Sequence, residues 1–335
     1  MHDILLLAGD TGGTKTDLAI YSAREGLDHP LAAVTVRSGD YPNLEHAASE
    51  FLASAGITVD QAVFGVAGPV VEGRATGTNL PWELDETSLA GALGARRVTL
   101  LNDLQAIANA VPHLRPEHLR TLNVGLPQPG GALAVVAPGT GMGQALLTWE
   151  NGRYRAHPSE GGHTSFSPNT DLEIELLLYL RRRYAHVSVE RVCSGRWMIS
   201  LYEFLRDEGH ASEPAWLREQ LEAADDATPV IVGAAQDAAR PCELCRRTVE
   251  MFVRILGAAA GNLALTVMAT GGVYLAGGMS YRLSQEIAEG PLMEAFVAKG
   301  RLSYLVELMP VHLVMHPQPG LLGAAAYGLE RLQAS

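Results

Sequence analysis

Short apolar runs and amphipathic segments alternate along the first third of the chain. Short continuous apolar runs predict buried strands, and these are Ile4–Gly9, Thr16–Tyr21, Leu31–Val36, Gln61–Val66 and Val98–Leu101. Apolar residues spaced three or four positions apart predict helices at Asn43–Ala55, Asp85–Leu93 and 104–110. This alternation predicts an α/β fold with a mostly parallel central sheet.

A second series of elements begins near Leu114. Strands are predicted at Gly131–Ala137, Gln144–Trp149, Gly272–Ala276 and Val311–Met315, helices over much of 170–265, and a small-residue helix over Gly320–Leu332. A chain of 335 residues is long enough for two cores. We therefore predict a small α/β domain, 1–113, to which a C-terminal helix 318–335 returns, and a large α/β domain, 114–317.

The two halves share a repeated local form. The stretches "LLLAGDTGGTKTDLAIYS" and "ALAVVAPGTGMGQALLTW" each consist of an apolar strand, a glycine-rich turn and a second strand. Two such beginnings predict a duplicated fold, with one glycine turn from each half facing a common cleft.

The first turn, Gly9–Lys15, lacks the GxxxxGK[ST] spacing of a P-loop, and no helix follows it as in a dinucleotide fingerprint. The residues after Gly13 have a strand pattern, which predicts a hairpin. Two interpretations fit: a plain hairpin, or an anion site whose glycines permit positive φ and let backbone N–H groups approach oxygen atoms. Asp10 stands where it could hold Mg²⁺ through water.

The charge balance limits the partners of the protein. Its 25 basic and 37 acidic residues give a net charge of -12 without a basic tract, which disfavours nucleic acid and anionic membranes as partners.

Met1–Ile4 is interpreted as the start of a first strand, because no basic region precedes the apolar run as in a signal peptide. The longest apolar stretch, Val249–Thr270, contains Glu250, Arg254 and Asn262, which predicts a buried core helix. Three cysteines fit a reducing, cytoplasmic location.

The ordered motifs of the chain resemble those of the bacterial glucokinases. These motifs are GDTGGT, GVAGPV, TNLPW, LLNDLQAIA, PGTGMG, PSEGGH, ERVCSG, YLAGGM and PGLLGAA. The resemblance implies an actin-like (ribonuclease H-like) two-domain ATPase fold with an ATP and sugar cleft between the domains. It also implies phosphorylation of the 6-hydroxyl of glucose by ATP with Mg²⁺, and a homodimer. The zinc-binding cysteines of the repressor–kinase (ROK) branch are missing, so no structural zinc is expected.

Asn102 and Asp103 end a predicted strand just before a helix, where parallel sheets place ligand sites. Either residue could simply cap that helix. Phosphoryl transfer also needs a carboxylate that accepts the proton of the nucleophile. The resemblance assigns this role to Asp103 and places Asn102 on a neighbouring sugar hydroxyl.

The resemblance places further residues in the two ligand sites. Glu160, His163, Glu190 and Asn79 match residues that contact the hexose. As isolated residues, Glu190 could be a solvated charge at a helix end and His163 a loop histidine bonded to backbone. The nucleotide set comprises Gly9, Asp10, Thr11, Gly12, Gly13, Thr14, Gly139, Thr140, Gly141, Gly277 and Gly278. Glycines that serve strand–helix packing would explain the last two equally well.

Two alternative functions fit the same residues. One is a kinase for mannose, fructose or an amino sugar, since the pocket residues do not separate epimers. The other is a non-catalytic regulator that binds sugar and ATP, against which the retained Asp103 argues. The phosphoryl donor also stays open, because backbone N–H groups of a turn contact phosphates rather than bases.

Overall fold

The computed structural model describes residues 3–76 and 82–333. Within these residues, the strands are β1 Leu5–Thr11, β2 Lys15–Ser22, β3 Ala32–Arg37, β4 Gln61–Val66, β5 Arg74–Thr76, β6 Glu83–Asp85, β7 Arg97–Asn102, β8 Leu119–Asn123, β9 Leu133–Pro138, β10 Met142–Glu150, β11 Arg153–Ser159, β12 Gly272–Leu275 and β13 Val311–Val314. The helices are α1 Leu44–Ala55, α2 Glu86–Leu93, α3 Asp103–Ala110, α4 Asp171–Arg181, α5 Met198–Asp207, α6 Ala215–Glu222, α7 Ala227–Gln236, α8 Glu243–Val267, α9 Gly277–Arg282, α10 Ser284–Ala288, α11 Pro291–Val297, α12 Ser303–Glu307 and α13 Pro319–Gln333.

The chain divides into two compact units. Unit 1 consists of the chain up to His118, the segment Arg153–Pro158 and the chain from His316 onward; unit 2 consists of Leu119–Gly152 and Ser159–Met315. The predicted α/β architecture is confirmed, but both large sheets combine antiparallel and parallel neighbours and are not mostly parallel as predicted. The other strands and helices with predicted bounds are found within two residues, whereas the core helix predicted over Val249–Thr270 runs from Glu243 to Val267.

Unit 1 is built on a five-stranded sheet in the order β3-β2-β1-β4-β7. β1 pairs antiparallel with β2 and parallel with β4, and β4 pairs parallel with β7. Helices cover both faces, so alternate residues of β1 enter two cores: Leu7 lies with α1 and α2, whereas Leu6 and Ala8 lie with α3 and α13. Asn43 accepts a hydrogen bond from the His46 N–H at 2.9 Å and thereby caps α1.

The backbones of α3 and α13 approach each other closely at Gly323. A Cβ atom at this position would overlap the carbonyl oxygen of Ala106 and would lie 2.9 Å from the Ala110 nitrogen. Both neighbours are backbone atoms of α3, which yield only if a helix shifts. A glycine is therefore required where α13 crosses α3.

We expect Gly323→Ala to lower the free energy of unfolding by about 1–3 kcal/mol, the usual cost of overpacking a well-packed core. Thermal denaturation measures this loss. Gly91→Ala in α2 is the control, since its Cβ would meet no atom within 4 Å and alanine favours a helix. Equal melting temperatures for Gly323→Ala and the wild type would contradict the packing argument.

The second large sheet has the order β11-β10-β9-β12-β13-β8, and its strands β8, β9, β10, β12 and β13 belong to unit 2. β9 pairs antiparallel with β10 and parallel with β12, and β12 pairs parallel with β13. From β11 to β13 this is the strand order of the first sheet. The duplication predicted from the two glycine hairpins is therefore present in the topology.

Helix α8 forms the centre of the unit 2 core. By length and composition alone it could cross a membrane, but 72% of its apolar window is buried inside the fold. Phe252 and Leu256 are fully buried in it. The prediction of a buried core helix is confirmed.

Candidate active site

The first glycine turn joins β1 to β2 as a tight hairpin. The Gly12 N–H donates to the Lys15 carbonyl at 3.0 Å, and the strand register pairs Thr11 with Thr16. Neither Gly9 nor Gly12 has a positive φ, so the turn does not use that freedom of glycine at these two residues. Gly9 is needed because a Cβ there would lie 2.5 Å from Cδ1 of Phe64.

Asp10 lies on β1 with its carboxyl group buried against glycines. A Cβ at Gly320 would overlap its Oδ2, and one at Gly65 would lie 3.5 Å from its Oδ1. Burial raises the pKa of Asp10 to about 7, and the charges of Asp103 and then Asp17 add to this rise. The positive charge of Lys15 opposes this rise but does not cancel it.

Asn102 and Asp103 lie where β7 ends and α3 begins. Asn102 is the N-cap: its Oδ1 accepts from the Leu104 N–H at 3.0 Å, and its Nδ2 donates to the Gly68 carbonyl at 3.0 Å. The side chain therefore takes the capping role. Asp103 Oδ1 accepts from the same Leu104 N–H at 2.8 Å.

The Asp103 carboxyl group is also buried, which raises its pKa; hydrogen bonds from Leu104 and Asn102 partly offset that rise. Its charge in turn acts on Asp10. Unit 1 thus brings together two carboxyl groups with raised pKa values at the carboxyl ends of β1 and β7. A raised carboxyl pKa close to the working pH suits a general base.

The second glycine turn, Gly139–Gly141, joins β9 to β10. The Gly139 N–H donates to the Gly141 carbonyl at 2.9 Å, while the Gly139 carbonyl accepts from the Gly195 N–H at 2.8 Å. The Thr140 carbonyl accepts from the Arg196 N–H at 3.3 Å. Backbone contacts with the segment at Gly195 therefore hold the turn.

Glu190 connects this turn to the loop of the "PSEGGH" motif. Its Oε2 accepts from the Met142 N–H at 3.1 Å and lies where a Cβ at Gly141 would approach to 2.7 Å. Its own N–H donates to the Gly162 carbonyl at 2.8 Å. Unit 2 therefore brings together the second turn, Glu190 and the loop of Glu160 and His163. Glu190 is tied to backbone rather than being a solvated charge.

Glu160 and His163 stand on that loop with exposed side chains. Their exposed side-chain fractions are 88% and 62%, and His163 Nε2 lies 3.8 Å from Glu160 Oε2. A short 3-10 turn, Gly161–His163, places them on one side. Gly162 within it is required, since a Cβ would overlap the Met142 carbonyl oxygen.

Gly277 and Gly278 begin α9, directly after β12. Gly277 has φ +82° and faces the Pro138 carbonyl, to which a Cβ would approach within 2.6 Å. Gly278 and Gly139 differ, because neither has a positive φ and a Cβ at either would meet no atom within 4 Å. The protein itself does not require glycine at these two positions, whereas close approach of a ligand would.

Some functional residues escaped sequence reasoning, and one predicted residue is not placed. Asn79 lies outside the described residues. Ser38, directly after β3, is buried and bonded to the first turn, yet in the sequence it is an ordinary serine at a strand end. Gly320 belongs to the motif PGLLGAA, but only the structure places it against Asp10.

Comparison with known proteins agrees with this arrangement. A solved glucokinase from an Antarctic psychrotroph superimposes with a TM-score of 0.84 at 31% identity, covering 98% of this chain and 99% of that chain. That likeness, with two α/β units whose sheets share one strand order, defines the actin-like two-domain fold of sugar kinases.

The family is equally well defined. A family model described as Glucokinase matches residues 7–331. The glucokinase of Nostoc punctiforme is 37% identical over 96% of this chain and 98% of its own length, and that of Caulobacter sp. (strain K31) is 39% identical over 95% and 93%. The chain belongs to the glucokinase family.

Proposed function

We propose that this protein is a glucokinase that transfers the γ-phosphoryl group of ATP to the 6-hydroxyl of glucose, giving glucose 6-phosphate and ADP. One observation carries the assignment within the family. Asp103, at the start of α3, is a buried carboxyl group with a raised pKa beside a second buried carboxyl group, Asp10. Paired carboxyl groups with perturbed pKa values are typical of catalytic sites.

In the proposed reaction Asp103 is the general base. It accepts the proton of the 6-hydroxyl while that oxygen forms its bond to the γ-phosphorus, and the bond to the β,γ-bridging oxygen breaks as ADP leaves. The Leu104 N–H fixes one oxygen of Asp103. The other oxygen is the one that we assign to the proton. Asn102, whose Oδ1 accepts from the Leu104 N–H and whose Nδ2 donates to the Gly68 carbonyl, is assigned to a neighbouring sugar hydroxyl.

Asp10 fits the role of holding Mg²⁺ through water. Mg²⁺ keeps most of its hydration shell and typically binds one or two carboxylates besides the phosphates. Asp10 supplies one such carboxylate, and its pKa of about 7 reflects a buried negative charge that a cation would relieve. When bound, Mg²⁺ neutralises charge on the β- and γ-phosphates.

The remaining assignments follow the two turns. We assign the phosphates of ATP to Thr11–Thr14 and Gly139–Gly141, with Gly9 shaping the first strand and Gly277 and Gly278 near the adenosine. The open space at Gly139 and Gly278 supports close approach of the nucleotide. We assign the hexose to Glu160, His163, Glu190 and Asn79, supported by the two exposed side chains on the Glu160–His163 loop.

We further propose that the protein has a small domain, 1–113 together with 318–335, and a large domain, 114–317. These ranges overlap largely with units 1 and 2. A cytoplasmic location is supported by Cys193, Cys242 and Cys245, which are free and buried. A homodimer is the state that the family resemblance implies, and sedimentation of the purified protein tests it.

The function is tested with purified protein and Mg-ATP on a panel of glucose, mannose, fructose and N-acetylglucosamine, with sugar phosphate measured directly. We expect glucose to have the highest kcat/KM. A higher kcat/KM for another sugar would replace glucose as the substrate and leave the reaction class standing. ATP binding without turnover of any sugar would support the non-catalytic regulator instead.

A further inference from the structure

Ser38 is bonded to the first glycine turn from outside the motif. It follows β3 and is fully buried. Its N–H donates to the Thr14 carbonyl at 3.1 Å, and its Oγ donates to the Gly12 carbonyl at 2.8 Å. Two of the carbonyl oxygens in the turn are therefore bonded to one buried residue.

The hydroxyl of Thr16 completes this cluster. Thr16 Oγ1 lies 3.0 Å from Ser38 Oγ, and Thr16 is fully buried as well. Because the single proton of Ser38 Oγ goes to Gly12, Thr16 donates and Ser38 accepts. Thr16 thus contacts Ser38 but not the carbonyl oxygens of the turn.

The hydrogen bonds of the turn determine which of its groups remain available. The Gly12 N–H is bonded to Lys15, so the backbone donors left in the turn belong to Gly13 and Thr14, which find no acceptor among residues 3–76 and 82–333. Next to them, the hydroxyl of Thr11 is buried, with 6% of the residue exposed, and has no hydrogen-bond partner in the described chain. The Gly12 and Thr14 carbonyl oxygens, which would repel a phosphate, are bonded to Ser38, while the N–H groups of Gly13 and Thr14 remain as donors.

We propose that Ser38 is a positioning residue that makes the first turn a phosphate site, by holding the Gly12 and Thr14 carbonyls away from the nucleotide while the remaining backbone donors face it. Neither Gly9 nor Gly12 has the positive φ that builds a typical backbone nest, so Ser38 takes over that ordering. The inference rests on the proposed function, because it assigns the nucleotide phosphates to this turn.

Ser38→Ala tests the inference, with Thr16→Val as the matched control. Both substitutions remove a buried hydroxyl from the same cluster, but only the first frees a carbonyl of the turn. We expect Ser38→Ala to raise both KM and Kd for Mg-ATP about tenfold, the usual effect of losing one buried hydrogen bond at a binding site. KM for glucose stays within about twofold of the wild type. We expect Thr16→Val to lower the melting temperature and leave KM for Mg-ATP unchanged.

The Kd comes from calorimetric titration of Mg-ATP, which separates the inference from the proposed function. Equal weakening of ATP binding by both variants, or by neither, overturns the role of Ser38 while glucose kinase activity stands. If the wild type binds Mg-ATP but phosphorylates no sugar, the proposed kinase activity is refuted. The Kd values of Ser38→Ala and Thr16→Val still test the positioning role of Ser38. Wild type that fails to bind Mg-ATP overturns both. Where Ser38→Ala folds poorly, Ser38→Cys keeps the volume with a weaker donor and is expected to raise Kd in the same direction.

Discussion

Replacing Asp103 by Asn is expected to lower kcat for glucose phosphorylation about 10²–10⁴-fold, the usual contribution of a general base. The amide keeps an oxygen that can accept from the Leu104 N–H, so the start of α3 is preserved. It cannot accept the hydroxyl proton. We therefore expect KM for glucose and for ATP to stay within a few-fold of the wild type. Steady-state kinetics, with each substrate varied at a saturating concentration of the other, measures kcat and both KM values.

Asp85→Asn is the control for a purely local effect. Asp85 caps α2 in the same unit, where its Oδ1 accepts from the Ser88 N–H at 2.9 Å. This variant should keep the wild-type kcat. A kcat for Asp103→Asn within threefold of the wild type would refute the base and leave Asp103 as a helix-end residue.

Asp10→Asn is expected to lower kcat/KM for Mg-ATP about 10²–10³-fold, comparable to the loss of one preorganised electrostatic contact. It is also expected to stabilise the ligand-free protein at pH 8. The shift of the Asp10 pKa from 3.8 to about 7 corresponds to roughly 4 kcal/mol at full strength. Solvent around this half-buried residue reduces the gain to about 1–2 kcal/mol. A gain of stability together with a loss of activity in Asp10→Asn would indicate that Asp10 serves function at the expense of stability.

The pH dependence of this gain has a definite sign. A raised pKa in the folded state means that the stabilising contribution of the protonated carboxyl is complete below about pH 4 and is lost as pH rises through about 7. The wild type should therefore fall behind Asp10→Asn between pH 5 and pH 8. Denaturant unfolding at several pH values measures the difference.

Asp17→Asn provides the opposite case. Asp17 is the cross-strand partner of Asp10, but it is bonded to Lys15 at 2.8 Å and to Thr35 at 2.5 Å. These two hydrogen bonds, working against burial, lower its pKa. Its substitution should therefore cost stability at pH 8. If Asp10→Asn also proves less stable than the wild type at pH 8, the argument that the buried charge of Asp10 destabilises the folded protein is refuted.

The elements predicted from the sequence were those with continuous or periodic apolar residues. The apolar pattern did not predict four strands, β5, β6, β8 and β11, and the residues of β8 and β11 show why. β8 reads LRTLN and β11 reads RYRAHPS; both are edge strands of the second sheet, and every residue in them is half-buried or exposed. A strand that buries few side chains leaves no apolar pattern.

The candidate site divides in the same way. Local motifs predicted the two hairpins and Asp103, because strand, turn and helix start are adjacent in sequence. Contacts such as Ser38 with Gly12, Gly320 with Asp10, and Glu190 with Met142 join residues that are far apart in sequence. No local pattern predicts such pairs. The reason for the glycine at position 9 is likewise a distant contact, since its missing Cβ makes room for Phe64.

The origin of unit 1 from both ends of the chain affects its synthesis. Its sheet is complete at Asn102, but α13, which covers one face and contacts Asp10, begins only at Pro319. Roughly 220 residues separate these points, so at about 5–20 residues per second a ribosome needs about 10–40 s between them. During that interval the apolar face of β1 that α13 covers stays open to chaperones. Most of unit 2 emerges in the meantime and can fold first.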